Sequence, residues 1–159
     1  MRNDEKKRIL WTYVLAIALP LAVGGLAALL TGGGMRDYGN LNKPSLSPPG
    51  WIFPLVWTAL FILMGIGSGQ IWLSGDDCRR DALEVYGLQL FLNFGWTILF
   101  FGFHWYLAAF AWLVVLEGVI VVMIALFYAA RPLAAYLQIP YFLWVAFAGY
   151  LNLGTYLLN

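Results

Sequence analysis

Long apolar segments separated by short polar breaks dominate the chain. Each segment reaches or exceeds the roughly 20 residues that an α-helix needs to cross a hydrocarbon core of about 30 Å. The strands of a membrane barrel would instead alternate apolar and polar residues over ~10 positions, and no segment alternates in that way. The pattern therefore predicts an all-α membrane protein, a five-transmembrane-helix bundle in a single domain of residues 1–159, with spans at 9–30, 51–73, 82–103, 105–130 and 133–158.

The connections between these spans differ in length, and only the first, residues 31–50, is long. Short connections make consecutive helices antiparallel neighbours. The long loop contains three prolines between residues 44 and 49, and their fixed φ angles make it stiff. Two interpretations stay open: an ordered connection with an interfacial anchor at Trp51, or a stiff lid over a pocket mouth with Tyr38 pointing inward.

Composition and charge agree with a membrane location. The chain is 62% hydrophobic and 11% charged, with a mean hydropathy of +0.78, whereas soluble domains carry roughly 25% charged residues. A soluble enzyme and a disordered chain are therefore excluded, and a net charge of +1 gives no basic field for a nucleic acid partner. Seven of the nine Lys and Arg residues lie on the N-terminal side of the predicted topology. This bias predicts an integral protein of the cell membrane with a cytoplasmic N-terminus.

Few residues offer conventional catalytic chemistry. Cys78 is the only cysteine and His104 the only histidine, so we expect no metal site, and no motif indicates a bound cofactor. Glu117 is the exception, because it lies in the middle of the fourth apolar span, where an ionisable group is costly and usually functional. It is either part of a proton relay or a neutral acid bonded to a hydroxyl or amide of a neighbouring helix.

Three helices carry stripes of aromatic and polar residues at helical spacing. Such stripes are often core packing, and tryptophans in membrane helices are often interface anchors. Three of them together favour a shared internal pocket, because Gln89 and Asn93 would be costly facing lipid. The stripes are Pro54, Trp57 and Phe61 on the second helix, Gln89, Asn93, Trp96 and Phe100 on the third, and Tyr141, Trp144, Ala148, Leu151 and Asn152 on the fifth.

Small residues recur at the spacing of close helix contacts. Gly65 and Gly69 form a G-x-x-x-G motif, and Ala18 and Ala22 form a second small pair. Such pairs let two helix backbones approach closely, either within one chain or between two. A homodimer is expected, with the interface left open.

Several motifs taken together resemble one known family. The loop reads Asn-x-x-Lys-Pro-x-x-x-Pro-Pro from Asn40 to Pro49 and leads into a helix containing Trp57. Asn93 is followed by Trp96, and the fifth span carries Pro-Tyr-x-x-Trp and continues to Asn152. In this combination, over nearly its whole length, the chain resembles the TspO/MBR family, the tryptophan-rich sensory and translocator proteins of the peripheral benzodiazepine receptor type.

The resemblance implies a function as well as a fold. It implies a five-helix bundle, usually dimeric, that binds porphyrins such as protoporphyrin IX in a pocket under the first loop. It also implies binding of drug-like isoquinoline carboxamide and benzodiazepine ligands. The implied role is a membrane receptor or sensor for tetrapyrroles, with a transporter of porphyrin or other hydrophobic molecules as the alternative. Some members are reported to degrade protoporphyrin in light and oxygen, so an enzymatic activity stays open.

The resemblance also assigns residues. Tyr38 resembles the loop tyrosine that caps the pocket, and Trp57 resembles the partner of Trp144 in porphyrin breakdown. Lys43 or Arg36 can pair with porphyrin propionates near the pocket mouth. With the helical stripes, the expected ligand-binding residues are Tyr38, Pro44, Trp57, Phe61, Gln89, Asn93, Trp96, Phe100, Trp144, Ala148 and Leu151.

Overall fold

A computed structural model describes residues 2–159, with all of their side chains except those of Arg2 and Met35. Its helices pack into one bundle whose core is apolar and aromatic. A π-helical turn, Ile98–Gly102, continues the helix of the third predicted span at its C-terminal end. The α-helices are α1 (Arg2–Leu30), α2 (Gly34–Asn40), α3 (Ile52–Trp72), α4 (Arg79–Thr97), α5 (Tyr106–Ala130), α6 (Pro132–Tyr136) and α7 (Ile139–Leu158).

The prediction of a five-helix, all-α membrane bundle is confirmed. Five helical segments of the described chain are long and apolar enough to cross a membrane, and residues 2–159 contain no strand. The helix α1 begins at Arg2 rather than at residue 9, because backbone hydrogen bonds continue where charged side chains are solvated by water. The long first loop contains α2, which the sequence pattern did not predict.

The fifth span is interrupted, although the sequence predicted one helix over residues 133–158. Leu137 and Gln138 separate α6 from α7. Pro140 lies in the first turn of α7, and it has no N–H to continue the hydrogen-bond ladder of α6. Gln138 is fully buried at this break, and its side-chain Nε2 donates to the Ala134 backbone carbonyl oxygen at 3.1 Å.

The G-x-x-x-G motif forms a contact within the chain, between α3 and α1. A Cβ atom at Gly65 would lie 2.5 Å from the Ile17 Cα and 2.7 Å from the Ala16 carbonyl oxygen. A Cβ atom at Gly69 would lie 2.9 Å from the Tyr13 ring. The two glycines therefore let the backbones of α1 and α3 meet.

Buried side-chain hydrogen bonds join α4, α5 and α7. The Trp96 indole nitrogen donates to the Asn152 side-chain oxygen at 3.1 Å, and the Asn152 amide nitrogen donates to the Tyr106 carbonyl oxygen at 2.7 Å. The Trp112 indole nitrogen donates to the Leu92 carbonyl oxygen at 2.7 Å. These bonds fix the register of the three helices and the orientation of Trp96.

Candidate functional site

A cavity of about 440 Å³ lies between α1, α3 and α4, near the end of the bundle that carries the long loop. Its volume falls in the range of ordinary small-molecule sites, roughly 300–1,000 Å³. The stripe predicted on the second span lies on α3, and its residues Pro54, Trp57 and Phe61 line the cavity. The helix α4 adds Asn93 and Trp96.

The aromatic wall of this cavity is held by ring contacts. The Trp57 ring lies 5.5 Å from the Phe61 ring and 6.0 Å from the Trp96 ring, centroid to centroid. The two interplanar angles are 30° and 34°, so the Phe61 and Trp96 rings are each only moderately tilted from the plane of the Trp57 ring. Such a wall suits a flat, aromatic ligand, because offset stacking adds roughly 0.5–1.5 kcal/mol per ring pair beyond the buried area.

The opposite wall consists of small residues of α1, which the sequence interpretation missed. Gly24, Gly25, Ala27 and Ala28 line the cavity there. A Cβ atom at Gly24 would clash with the Phe61 ring, whereas one at Gly25 would meet no atom within 4 Å. The run of small residues was a visible signal, but only the packing of α1 on α3 shows which space it leaves open.

The polar residues of α4 bond to α7 behind the aromatic wall. The Tyr141 hydroxyl donates to the Gln89 side-chain oxygen at 2.8 Å and accepts from the Asn93 amide nitrogen at 3.1 Å. Gln89 and Tyr141 are completely buried and do not line the cavity. Asn93 is thus the link between this network and the cavity.

The loop tyrosine points into the bundle. Tyr38, on α2, is buried against Phe53, Phe100 and Phe101, with ring centroids 5.7–6.0 Å apart. Burial raises the pKa of the Tyr38 phenol above its ordinary value, while the neighbouring Ser47 hydroxyl acts in the opposite direction. The phenol is therefore neutral at physiological pH.

The remainder of the loop is tied to the end of α7. The Asn42 backbone nitrogen donates to the Asn159 side-chain oxygen at 3.1 Å, and the Asn159 amide nitrogen donates to the Asn42 carbonyl oxygen at 2.9 Å. Pro44 packs on Gly154, where an added Cβ would lie 2.7 Å from the proline ring. Pro44 therefore fastens the loop to α7 and does not line the cavity.

The remaining predicted residues lie outside the main cavity. Tyr38, Phe100, Ala148 and Leu151 line an adjacent void of about 10 Å³. Trp144 lies between the Phe53 and Phe147 rings, at 6.0 and 5.6 Å, with its buried indole nitrogen unbonded. No α7 residue of the predicted stripe lines the main cavity, because Phe53 and Trp57 stand between that space and the α7 aromatics.

Five apolar helices, three of which enclose an aromatic cavity, define an integral membrane protein with a site of small-molecule size. The sequence matches the TspO/MBR family over residues 16–157, and the chain belongs to that family. It is 39% identical to the tryptophan-rich protein TspO of Chlorobaculum tepidum over 158 residues, covering 96% of this chain and 98% of the relative. It is 36% identical to the translocator protein of Sus scrofa over 147 residues (89% and 87%). It is 33% identical to the protein CrtK of Rhodobacter capsulatus over 151 residues (92% and 90%).

Proposed function

We propose that this protein is a membrane receptor that binds porphyrins, such as protoporphyrin IX, in the cavity between α1, α3 and α4. The aromatic wall formed by Trp57, Phe61 and Trp96 carries the proposal. The ring of a porphyrin is flat and apolar, so it gains both buried area and ring stacking against this wall. Isoquinoline carboxamide and benzodiazepine ligands also carry aromatic rings that can stack on this wall, and we assign them to the same space.

The propionates of a porphyrin require a polar end of the site. The cavity reaches Gly32 and Gly50 at the two ends of the long loop, where water is near. Lys43 and Arg36 are exposed on this loop. The Lys43 ammonium group already donates to the Gly39 carbonyl oxygen at 2.9 Å and lies 5.3 Å above the Tyr38 ring. A propionate that pairs with Lys43 would therefore replace a local contact of the loop.

Binding is tested by titrating the purified protein with protoporphyrin IX in the dark and recording tryptophan fluorescence. We expect saturable quenching, because Trp57 and Trp96 would stack on the ligand. The Trp57→Phe variant should lose a large share of the quenching, and Trp11→Phe, at an exposed site on α1, should lose little. If neither protoporphyrin IX nor another tetrapyrrole quenches the tryptophan fluorescence of the wild-type protein, the proposal is contradicted.

Light-dependent degradation of the bound porphyrin is a second candidate function. Trp57 lines the cavity, whereas the Phe53 ring stands between the cavity and Trp144. We therefore expect Trp57→Phe to slow the light-dependent loss of porphyrin absorbance more than Trp144→Phe does. The measurement is the bleaching rate under oxygen at equal bound porphyrin. Wild-type rates in both variants would exclude a catalytic role for either indole.

Transport of porphyrin or another hydrophobic molecule is the remaining alternative. Flux of protoporphyrin IX into sealed liposomes distinguishes transport from reception, since a receptor binds the porphyrin without increasing the flux over that of empty vesicles.

The expected homodimer is tested by the mass of the protein in lipid nanodiscs. The exposed pair Ala18 and Ala22 offers a close-contact face, whereas Gly65 and Gly69 already contact α1.

We further propose that the N-terminus is cytoplasmic and that the protein lies in the cell membrane, and Cys78 provides a test. This half-buried cysteine lies just before α4, on the same side of the bundle as the N-terminus. In intact spheroplasts, a membrane-impermeant maleimide should leave Cys78 unlabelled and should label Ser45→Cys in a Cys78→Ser background. Labelling of Cys78 from outside would reverse the orientation.

The rate of this labelling should depend on pH. The Asp76 carboxylate beside Cys78 raises the pKa of the thiol above its ordinary value, and Asp81 and Asp77 act in the same direction. Since the thiolate is the reactive form, labelling in opened membranes should accelerate as the pH rises above 8. Asp76→Asn should accelerate it at constant pH.

A further inference from the structure

Glu117 lies near the middle of α5, in the apolar part of the bundle. Both of its carboxyl oxygens are buried, and neither has a hydrogen-bond partner. Within the described residues, Glu117 takes part in no ion pair. A charged carboxylate that is neither paired nor solvated is very costly at such a depth, and the group remains neutral instead.

The register of α5 and α7 identifies the α7 residue that lies at the depth of Glu117. The bond from the Asn152 amide nitrogen to the Tyr106 carbonyl oxygen, 2.7 Å long, aligns the two antiparallel helices. Glu117 comes eleven residues after Tyr106, and Tyr141 comes eleven residues before Asn152. Eleven residues make about three turns, so Glu117 and Tyr141 lie at the same depth on two helices that pack together. Glu117 is accordingly within electrostatic range of Tyr141.

The hydrogen bonds of Tyr141 determine which form of Glu117 it can accept. A tyrosine hydroxyl has one proton and two acceptor positions. Tyr141 gives its proton to the Gln89 oxygen and uses one acceptor position for the Asn93 amide. Only an acceptor position remains. A carboxylic acid can donate to it, whereas a carboxylate has no proton to donate.

Among the described residues, the second titratable group that acts on Tyr141 is also a phenol. Tyr86, on α4, is also within electrostatic range of Tyr141, and Tyr136, on α6, pairs with Tyr128 at the exposed surface. From α3, the nearest partner of the network is the Met64 sulfur, 3.9 Å from the Gln89 amide nitrogen. Free phenols ionise only near pH 10, so Glu117 is the group of this cluster that can exchange a proton near neutral pH.

We propose that Glu117, Tyr141 and Gln89 form a proton-binding site at the centre of the bundle. With the proton bound, Glu117 donates to Tyr141 through one internal water, and Tyr141 donates to Gln89. When the Glu117 O–H bond breaks and the proton leaves, Tyr141 keeps its own proton and turns it from Gln89 to the new carboxylate. Proton release therefore costs the Tyr141–Gln89 bond, which joins α7 to α4. The proposal does not depend on porphyrin binding.

A hydrophobic carbodiimide is a specific probe for such a site, because it enters the bilayer and reacts with protonated carboxyl groups. The acid O–H adds across one C=N bond without a leaving group, so the peptide gains the full mass of the reagent. In phosphatidylcholine vesicles at pH 7, dicyclohexylcarbodiimide should modify Glu117 of the full-length protein. Glu84→Gln, which removes an exposed carboxylate paired with Arg80, should be modified at Glu117 as the wild type is. Absence of the Glu117 adduct from the wild-type protein and from this control would overturn the proposal.

Infrared spectroscopy tests the protonation state without a chemical reagent. The difference between the wild-type protein and Glu117→Gln at pH 7 should contain the carbonyl stretch of a protonated carboxylic acid. A carboxylate band in its place would overturn the proposal. Tyr141→Phe should retain the acid band but shift its frequency, because the hydrogen-bond acceptor is gone. An unshifted band in a folded Tyr141→Phe variant would overturn the assignment of Tyr141 as the partner.

Discussion

The Gly25→Phe variant should bind protoporphyrin IX at least about tenfold more weakly than the wild type, a loss of roughly 1.4 kcal/mol. Gly25 lines the cavity on the α1 side, and a Cβ atom there meets no other atom within 4 Å. A benzyl group there displaces no neighbour at its Cβ, and we expect it to fill part of the cavity opposite Trp57 and Trp96. The measurement is the dissociation constant from tryptophan quenching in the dark.

Gly118→Phe is the matched control for this experiment. Gly118 is also a helical glycine with no atom within 4 Å of an added Cβ, but it lies on the exposed side of α5, away from the cavity. Both changes replace a glycine inside a helix, which favours the helical state by a few tenths of a kcal/mol or more. An unchanged affinity in folded Gly25→Phe would show that the ligand binds elsewhere. An equal loss in both variants would point to a general effect on the bundle.

The largest loss of stability is expected for Gly65→Ala, on the order of 3 kcal/mol. A methyl group at Gly65 would press against the Ile17 Cα and the Ala16 carbonyl oxygen, at 2.5 and 2.7 Å. These are backbone atoms, so the clash is relieved only by moving α1 away from α3. That movement would also enlarge the cavity, because residues of α1 form one of its walls. Thermal unfolding in lipid nanodiscs measures the loss.

Two other glycines make the comparison quantitative. At Gly69 the added methyl group would meet the Tyr13 ring at 2.9 Å, and a side chain can rotate aside at lower cost than a backbone. At Gly118 it would meet nothing, so Gly118→Ala should leave stability unchanged or raise it by up to about 1 kcal/mol. The expected order of destabilisation is Gly65, then Gly69, then Gly118. Equal effects at Gly65 and Gly118 would exclude a close α1–α3 contact.

Most of the fold follows from hydropathy, and the structure differs from the predicted spans where hydropathy carries no information about helix ends. The predicted and observed ends of α3 agree to within one residue, as do those of α5. The extension of α1 into charged residues, the short helix α2 and the break at Leu137 and Gln138 were not predicted. A hydropathy pattern reports which residues favour lipid, whereas helix ends depend on backbone hydrogen bonds and on the position of prolines.

The tryptophans show how far helical spacing can sort interior from surface positions. Trp11, Trp51, Trp72 and Trp105 are exposed, at 58–68% of their surface. Trp57 and Trp96 line the cavity, as their stripes indicated, while Trp144 is inward but separated from the cavity by Phe53. Spacing along one helix places a side chain on a face, but the neighbouring ring that intervenes belongs to another helix.

The sequence by itself determined the class of the protein, the number of its spans and the family to which it belongs. It also indicated which faces of α3 and α4 point inward, because burying polar and aromatic residues together is costly unless they meet partners. Only the tertiary structure decided that small residues of α1 complete the cavity and that Tyr141 lies at the depth of Glu117. Both depend on the register and separation of helices distant in sequence. These are set by contacts such as Gly65 on Ile17 and Asn152 on Tyr106, which no periodicity within a single helix encodes.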